Sequence, residues 1–217
     1  MIRACIFDLD GVIVDTAKYH YKAWKRLANE LGFEFTEEDN ERLKGVSRMT
    51  SLEILLEIGN KKGEYTEDEK LKLATKKNEW YREYITKMEK DEILPGVEGF
   101  LELLRQNGVK IAIGSASKNA KTILERIGLI DKFDAIVDGT KITKAKPDPQ
   151  VFTKAADEMN EKYEDCVVFE DSQAGIDAAL AAGMKAIAVG KPENLKNAHK
   201  IISGFKNKDF ELLMFDW

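Results

Sequence analysis

Two aspartates two residues apart, Asp8 and Asp10, close a short apolar run and are followed by Gly11 and Val12. A carboxylate placed like Asp8 can attack phosphorus and carry the phosphoryl group as a mixed anhydride. A second carboxyl beside it, Asp10, can give and take the proton of the substrate oxygen, a contribution of roughly 10²–10⁴ in rate. Further on come Ser115-Ala116-Ser117, Lys146-Pro147-Asp148-Pro149, and Glu170-Asp171 followed by Ser172-Gln173-Ala174-Gly175. They offer a hydroxyl, an ammonium and two more carboxylates. Asp8, Glu170 and Asp171 are hard oxygen donors of the kind Mg²⁺ takes. Such a cation would cancel the repulsion between an anionic nucleophile and an anionic phosphate. Ser115 and Lys146 could then hold phosphoryl oxygens, one by hydroxyl and backbone N–H, the other as a point charge.

Each feature alone has an ordinary reading: a solvated turn, a helix N-cap, a Lys-Pro turn, acidic residues serving a helix dipole. Their placement together argues otherwise. Residues 2–7, 109–113, 135–137, 166–169 and 186–189 are apolar at nearly every position, as expected of parallel strands covered on both faces. Helical patterns over 97–107, 119–127, 149–159 and 173–182 separate the later strands, and Gly108, Gly128 and Gly183 close three of them. Strand alternating with helix predicts a doubly wound α/β sheet. Every chemical feature falls at, or shortly beyond, the carboxyl end of a strand, the edge where such sheets bind ligands.

The first and second strands are too far apart for one crossover, and the residues between them carry only helical signals. A stripe of Tyr19, Ala23, Leu27 and Leu31 marks 17–31; Thr36 caps Glu37, Glu38 and Asp39; 51–58 is short. Thr66 and Glu69 form a capping box for a helix running through Trp80 and Tyr84 to about Lys90. This predicts a core of 1–15 and 92–217 with a helical cap domain of 16–91 inserted after the first strand.

Composition narrows the partners. The 217 residues carry a formal net charge of −5, which excludes the basic footprint of a nucleic-acid binder. Cys5 and Cys166 lie inside apolar runs and read as buried thiols of a reducing compartment. No apolar run reaches the ~18 residues of a membrane span, and Met1 leads directly into a strand pattern without a secretory leader. A cytoplasmic monomer acting on a small molecule is the expectation.

These residues resemble the haloacid dehalogenase superfamily, whose signature is a strand ending in D-x-D-G, then a Ser or Thr, a Lys and an acidic pair. The resemblance implies a Rossmann-like core with Asp8 as nucleophile and Asp10 as general acid and base. It implies Mg²⁺ on Asp8, Asp171 and the backbone carbonyl of Asp10, with Glu170 in or beside that shell. The second carboxylate points to phosphoryl transfer rather than dehalogenation. Nearly the whole chain is similar to the β-phosphoglucomutase family, through Phe7-Asp8-Leu9-Asp10-Gly11-Val12-Ile13, Asp15-Thr16-Ala17, Tyr19-His20, Leu43-Lys44-Gly45-Val46-Ser47-Arg48, Ser115-Ala116-Ser117-Lys118-Asn119 and Glu170-Asp171-Ser172-Gln173-Ala174-Gly175-Ile176. That family interconverts β-glucose 1-phosphate and glucose 6-phosphate through an aspartyl-phosphate and a bisphosphate. The likeness implies that Arg48 clamps the non-transferring phosphate with help from the Ala116, Ser117, Lys118 and Asn119 run. It puts Lys44 and Gly45 on a specificity loop, Lys77 against the sugar, and Thr16 and His20 at the hinge.

Bland readings stand beside these. Arg48 could be a surface residue before a helix capped by Thr50 or Ser51. Lys77 by itself reads as solvated, His20 as packing or hinge, and Trp24, Trp80 and Tyr84 as core or cap-interface residues. Neither histidine sits in a zinc pattern. After Lys191 the likeness is weak and no site is placed there; the stretch around His199 reads as a last strand. Two rival functions remain: a sugar-phosphate phosphatase of the same superfamily, and a phospho-acceptor signalling module, which needs about half this length and no cap.

Overall fold

Apolar runs of three to five residues build a parallel six-stranded sheet in the computed structural model, which describes residues 2–43, 46–191 and 195–214. The strands are β1 (Ala4–Phe7), β2 (Lys110–Gly114), β3 (Ala135–Val137), β4 (Cys166–Glu170), β5 (Lys185–Val189) and β6 (Lys200–Ile202), ordered β3-β2-β1-β4-β5-β6. β1 is central. Its Phe7 is level with Ile113 of β2 and with Phe169 of β4. The residues that follow these strands therefore emerge side by side at one edge. The last strand expected around His199 is β6, on the far side of β5.

Both faces of the sheet are covered, which is why the strands need not alternate. On one face Ala4, Ile6, Ala112 and Val168 pack with Val151, Phe152, Ala155 and Ile176. These come from α7 (Gln150–Met159) and α8 (Gln173–Ala181). Elsewhere four phenylalanines meet. Phe7 and Phe169 stack with ring centroids 4.7 Å apart, and Phe100 and Phe205 pack against both. Phe100 belongs to α5 (Val97–Gln106), which buries Val97, Phe100, Leu101 and Leu104 at helical spacing. α6 (Ala120–Arg126) follows β2. Both cysteines are buried and free.

Contacts divide the chain into two units, Met1–Asp15 with Glu89–Trp217, and Thr16–Met88. The second unit holds α1 (Ala17–Glu30), α2 (Glu37–Glu41), α3 (Arg48–Ile58) and α4 (Glu67–Ile85). Thr36 and Thr66 cap α2 and α4, each in a reciprocal box, with Asp39 and Glu69 respectively. Three details differ from the sequence reading. The buried stripe of α1 is Ala23, Trp24, Leu27 and Ala28, because Trp24 is the bulkiest apolar group on that face; Tyr19 is half-buried and Leu31 is the C-cap. α3 starts at Arg48 because Ser47, not Thr50 or Ser51, is its N-cap: the Ser47 hydroxyl accepts from the Thr50 N–H at 3.2 Å. α4 ends at Ile85, well short of Lys90. The Thr86 hydroxyl donates to the Arg82 and Glu83 carbonyls, and Lys90–Glu92 forms a separate 3-10 turn.

Candidate active site

β1 stops at Phe7 and the Asp8 N–H still bonds the Phe169 carbonyl, at 2.9 Å. Leu9 is fully buried, and its carbonyl accepts from Ile13 and Val14 at 2.9 and 3.1 Å, folding 9–14 into a tight turn. That turn leaves Asp8 buried and Asp10 half-buried just past the end of β1.

Lys146 reaches the same point from 138 residues away. Its Nζ donates to Asp8 Oδ1 at 2.5 Å and to Glu170 Oε2 at 2.8 Å, and all three side chains are buried. Glu170 is tied further: its Oε1 accepts from the N–H groups of Asp171 and Ser172, at 3.1 and 3.0 Å, and from the Ser172 hydroxyl at 2.7 Å. Ser172 in turn caps α8 by accepting from the Gly175 N–H. Space is tight around this knot. A Cβ on Gly175 would run into the Glu170 carboxyl, and one on Gly11, whose φ is +80°, into Asp171. The glycines of D-x-D-G and of the acidic-pair motif are thus required by close approach.

Ligand oxygens of Asp8, Glu170 and Asp171 lie within 4.8 Å of one another. Asp8 and Glu170 are buried and Asp171 half-buried, so three carboxyl groups gather around the Lys146 ammonium, which pairs with Asp8 and Glu170. Burial pushes the Asp8 carboxyl up to about 7; Lys146 opposes the rise, while Glu170 and Asp10 add to it. Burial works to lower Lys146, but Asp8 and Glu170 more than offset it and hold the ammonium above its ordinary value. An all-oxygen carboxylate donor set fits a hard divalent cation. Both Glu170 oxygens are engaged in hydrogen bonds, as is Oδ1 of Asp8.

The Ser115 segment forms a second half of the edge. Ser115 is buried next to β2's end, its N–H bonded to the Val137 carbonyl at 3.0 Å. Its hydroxyl accepts from the Ser117 N–H at 3.1 Å, and the Ser117 hydroxyl from the Asn119 N–H at 3.2 Å. Ala116, Ser117 and Asn119 are half-buried and Lys118 is exposed.

Within the helical unit, Lys77 is only 2% exposed, which overturns its solvated reading. Its ammonium sits 4.4 Å from the Trp24 ring and 4.9 Å from the Tyr81 ring, and 2.9 Å from His20 Nδ1. An ammonium can only donate, so His20 accepts and its ring is neutral with the proton on Nε2. Burial, then the charges of Lys77 and Arg48, drive the His20 pKa well below its ordinary value. His20 stacks on Tyr81 with centroids 4.0 Å apart. Thr16 is buried at the start of α1, and its carbonyl accepts from Tyr19 and His20. Arg48 opens α3, half-buried. Lys44 and Gly45 lie outside the described residues.

Sequence reasoning did not single out Ser172 or Gly175 as site residues, nor Trp24 and Tyr81 as partners of Lys77. The N-cap pattern before α8 was a usable signal for Ser172. The Lys77 cage has no local signal, since its rings come from two helices.

A protein-family model described as haloacid dehalogenase-like hydrolase matches residues 2–183. The chain belongs to the haloacid dehalogenase-like hydrolase family. Among members of this family, a β-phosphoglucomutase of Bacillus subtilis is 42% identical over 216 residues, covering 100% of this chain and 96% of that protein. A crystal structure of β-phosphoglucomutase from Clostridium difficile matches with a TM-score of 0.93 and 44% identity, over 99% of this chain and 96% of that one. A phosphorylated carbohydrates phosphatase of Thermotoga maritima is 30% identical over 92% of this chain and 99% of its own. The haloacid dehalogenase-like fold thus extends through both units. No helix among the described residues is long and apolar enough to cross a membrane.

Proposed function

We propose that this chain is a Mg²⁺-dependent phosphomutase that interconverts β-glucose 1-phosphate and glucose 6-phosphate. The observation that carries the assignment is the end-to-end likeness to β-phosphoglucomutases, at 42% identity over the whole chain. The site chemistry agrees with it. Asp8 would attack phosphorus; the bond from phosphorus to the sugar oxygen breaks as the bond to Asp8 forms. Asp10 would protonate the departing oxygen and, in the second half, take the proton of the hydroxyl that receives the phosphoryl group. Lys146 favours the Asp8 anion against the effect of burial and would orient it. Mg²⁺, held by Asp8, Asp171 and the Asp10 carbonyl, would supply charge stabilisation for the transferring group. Ser115 and Lys146 would hold the phosphoryl oxygens.

A mutase must grip a second phosphate at the far end of the sugar. Arg48, with its planar fork of donors, suits that task, and Ala116, Ser117, Lys118 and Asn119 are assigned to the same phosphate. Lys44, Gly45 and Lys77 are assigned to the sugar and its specificity, and Thr16 and His20 to a hinge of the helical cap domain, 16–91. The net charge of −5 supports a small-molecule substrate over a nucleic acid, and the two free thiols support a cytoplasmic protein; a monomer suffices for this chemistry.

The test supplies β-glucose 1-phosphate, Mg²⁺ and a trace of the bisphosphate. Stoichiometric glucose 6-phosphate is expected. Free phosphate without isomer would overturn the mutase in favour of a phosphatase.

A further inference from the structure

The segment after β3 packs on the Ser115–Asn119 run in a way that no motif announces. The Gly139 N–H donates to the Ser117 carbonyl at 3.1 Å, and the Ser115 N–H to the Val137 carbonyl at 3.0 Å, so residues 137–139 and 115–117 are laced together beyond the ends of their strands. A Cβ on Gly139 would collide with the Ala116 carbonyl oxygen and lie 3.0 Å from the Lys118 N–H. Lys118 Cγ also lies 3.0 Å away and could swing aside, but the nearest obstacle, the Ala116 carbonyl oxygen, is backbone and could not. Asp138 stiffens the turn that carries Gly139. It is 2% exposed, and its Oδ1 accepts from the Thr140 N–H at 2.9 Å and from the Thr140 hydroxyl.

We infer that Asp138, Gly139 and Thr140 are positioning residues: they form a rigid floor that sets the Ser115–Asn119 backbone, and thereby the grip on the substrate's second phosphate. The physical reason is that the donors of 115–119 are short-range hydrogen-bonded turns, Ser117 N–H to Ser115 Oγ and Asn119 N–H to Ser117 Oγ. Nothing within such a turn prevents it from translating as a body. A backbone pressed against it does, provided residue 139 has no side chain. The role in binding rests on the mutase reading; the mechanical role does not.

The experiment compares wild type with Gly139→Ala and the milder Thr140→Val. Amide hydrogen exchange over residues 115–119 reads the floor directly. Both variants should exchange faster there, with residues 4–7 of β1 unchanged as an internal control; unchanged exchange in 115–119 overturns the inference whatever the activity. Kinetics then read the consequence. Displacing donors from a bound phosphate predicts a rise of about tenfold or more in KM for β-glucose 1-phosphate in Gly139→Ala and a smaller rise in Thr140→Val. Phosphoenzyme formation from acetyl phosphate, which has no second phosphate and uses Ser115, a residue held by Val137 of β3 rather than by residues 138–140, should stay within about threefold. Equal losses on both substrates would mean a general loss of structure and reject the positioning role. Absence of isomerisation in wild type would count against the mutase, while the exchange result would still decide the floor. Should Gly139→Ala fail to fold, Thr140→Val carries both readouts.

Discussion

Lys146 donates to Asp8 at 2.5 Å with both side chains buried, across 138 residues of chain. This pair, anchored by Glu170 on its other side, is the electrostatic centre of the site. Without the ammonium, buried carboxylates would face one another with no cation between them, and breaking a buried pair by deleting one partner costs about 3–5 kcal/mol.

Lys146→Met should therefore lower both stability and activity, with the activity falling by roughly 10²–10⁴. Without Lys146 the Asp8 carboxyl rises further, so residual phosphoenzyme formation should need higher pH than in wild type. A pH profile of phosphoenzyme formation from acetyl phosphate checks this; an unshifted profile would show that Lys146 does not govern Asp8 ionisation.

Asp8→Asn should abolish phosphoenzyme formation and isomerisation while leaving the fold intact by circular dichroism. Lys146 keeps Glu170 as a partner in this variant, at 2.8 Å, so the fold should survive the loss of the Asp8 anion. Detectable turnover would remove Asp8 from the role of nucleophile.

Mg²⁺ should raise the melting temperature, because it binds the folded cluster only. At a hundredfold excess over its Kd the gain is about 2.7 kcal/mol. Asp171→Asn should erase most of that gain, and chelation should return wild type to its metal-free melting temperature. A Mg²⁺-independent melting temperature in wild type would contradict a site on Asp8 and Asp171.

His20 gives the protein a pH-dependent stability of defined sign. Its folded-state pKa lies below the unfolded value of about 6.5, so the unfolded chain binds the extra proton first. Its stabilising contribution is present above pH ~6.5 and is lost as pH falls towards the folded-state value, at up to about 1.4 kcal/mol per pH unit. Denaturant midpoints from about pH 5 to pH 7.5 should show this slope in wild type and a shallower one in His20→Gln. Equal slopes would mean that the ring is not held neutral.

Arg48→Ala should damage isomerisation by about a hundredfold or more while sparing hydrolysis of a small phosphate ester. Matching losses on the two substrates would show that Arg48 does not read the distal phosphate.

Much of this arrangement is legible along the chain because the sheet edge is a local consequence of sequence. An apolar run that stops must put its next residue at a strand end, and Asp8, Ser115 and Glu170 are such residues. The edge strand β6 was harder to read: it has three residues, and Ile201 is 38% exposed, so the continuous apolar signal of a central strand is missing. The border of α4 was misplaced because helical periodicity continues past Ile85, while the Thr86 hydroxyl that ends the helix acts through hydrogen bonds a pattern does not display.

Sequence alone determined the residue types, their order at the strand ends and hence the class of chemistry, since those depend on covalent neighbours and on the period of hydrophobicity. Tertiary structure decided which oxygen meets which donor. It tied both Glu170 oxygens to Lys146, Asp171 and Ser172, drew Lys77 out of solvent into a cage of Trp24, Tyr81 and His20, and pressed Gly139 against the Ser115–Asn119 backbone. Those outcomes depend on distances between groups far apart in the chain, and only packing fixes such distances.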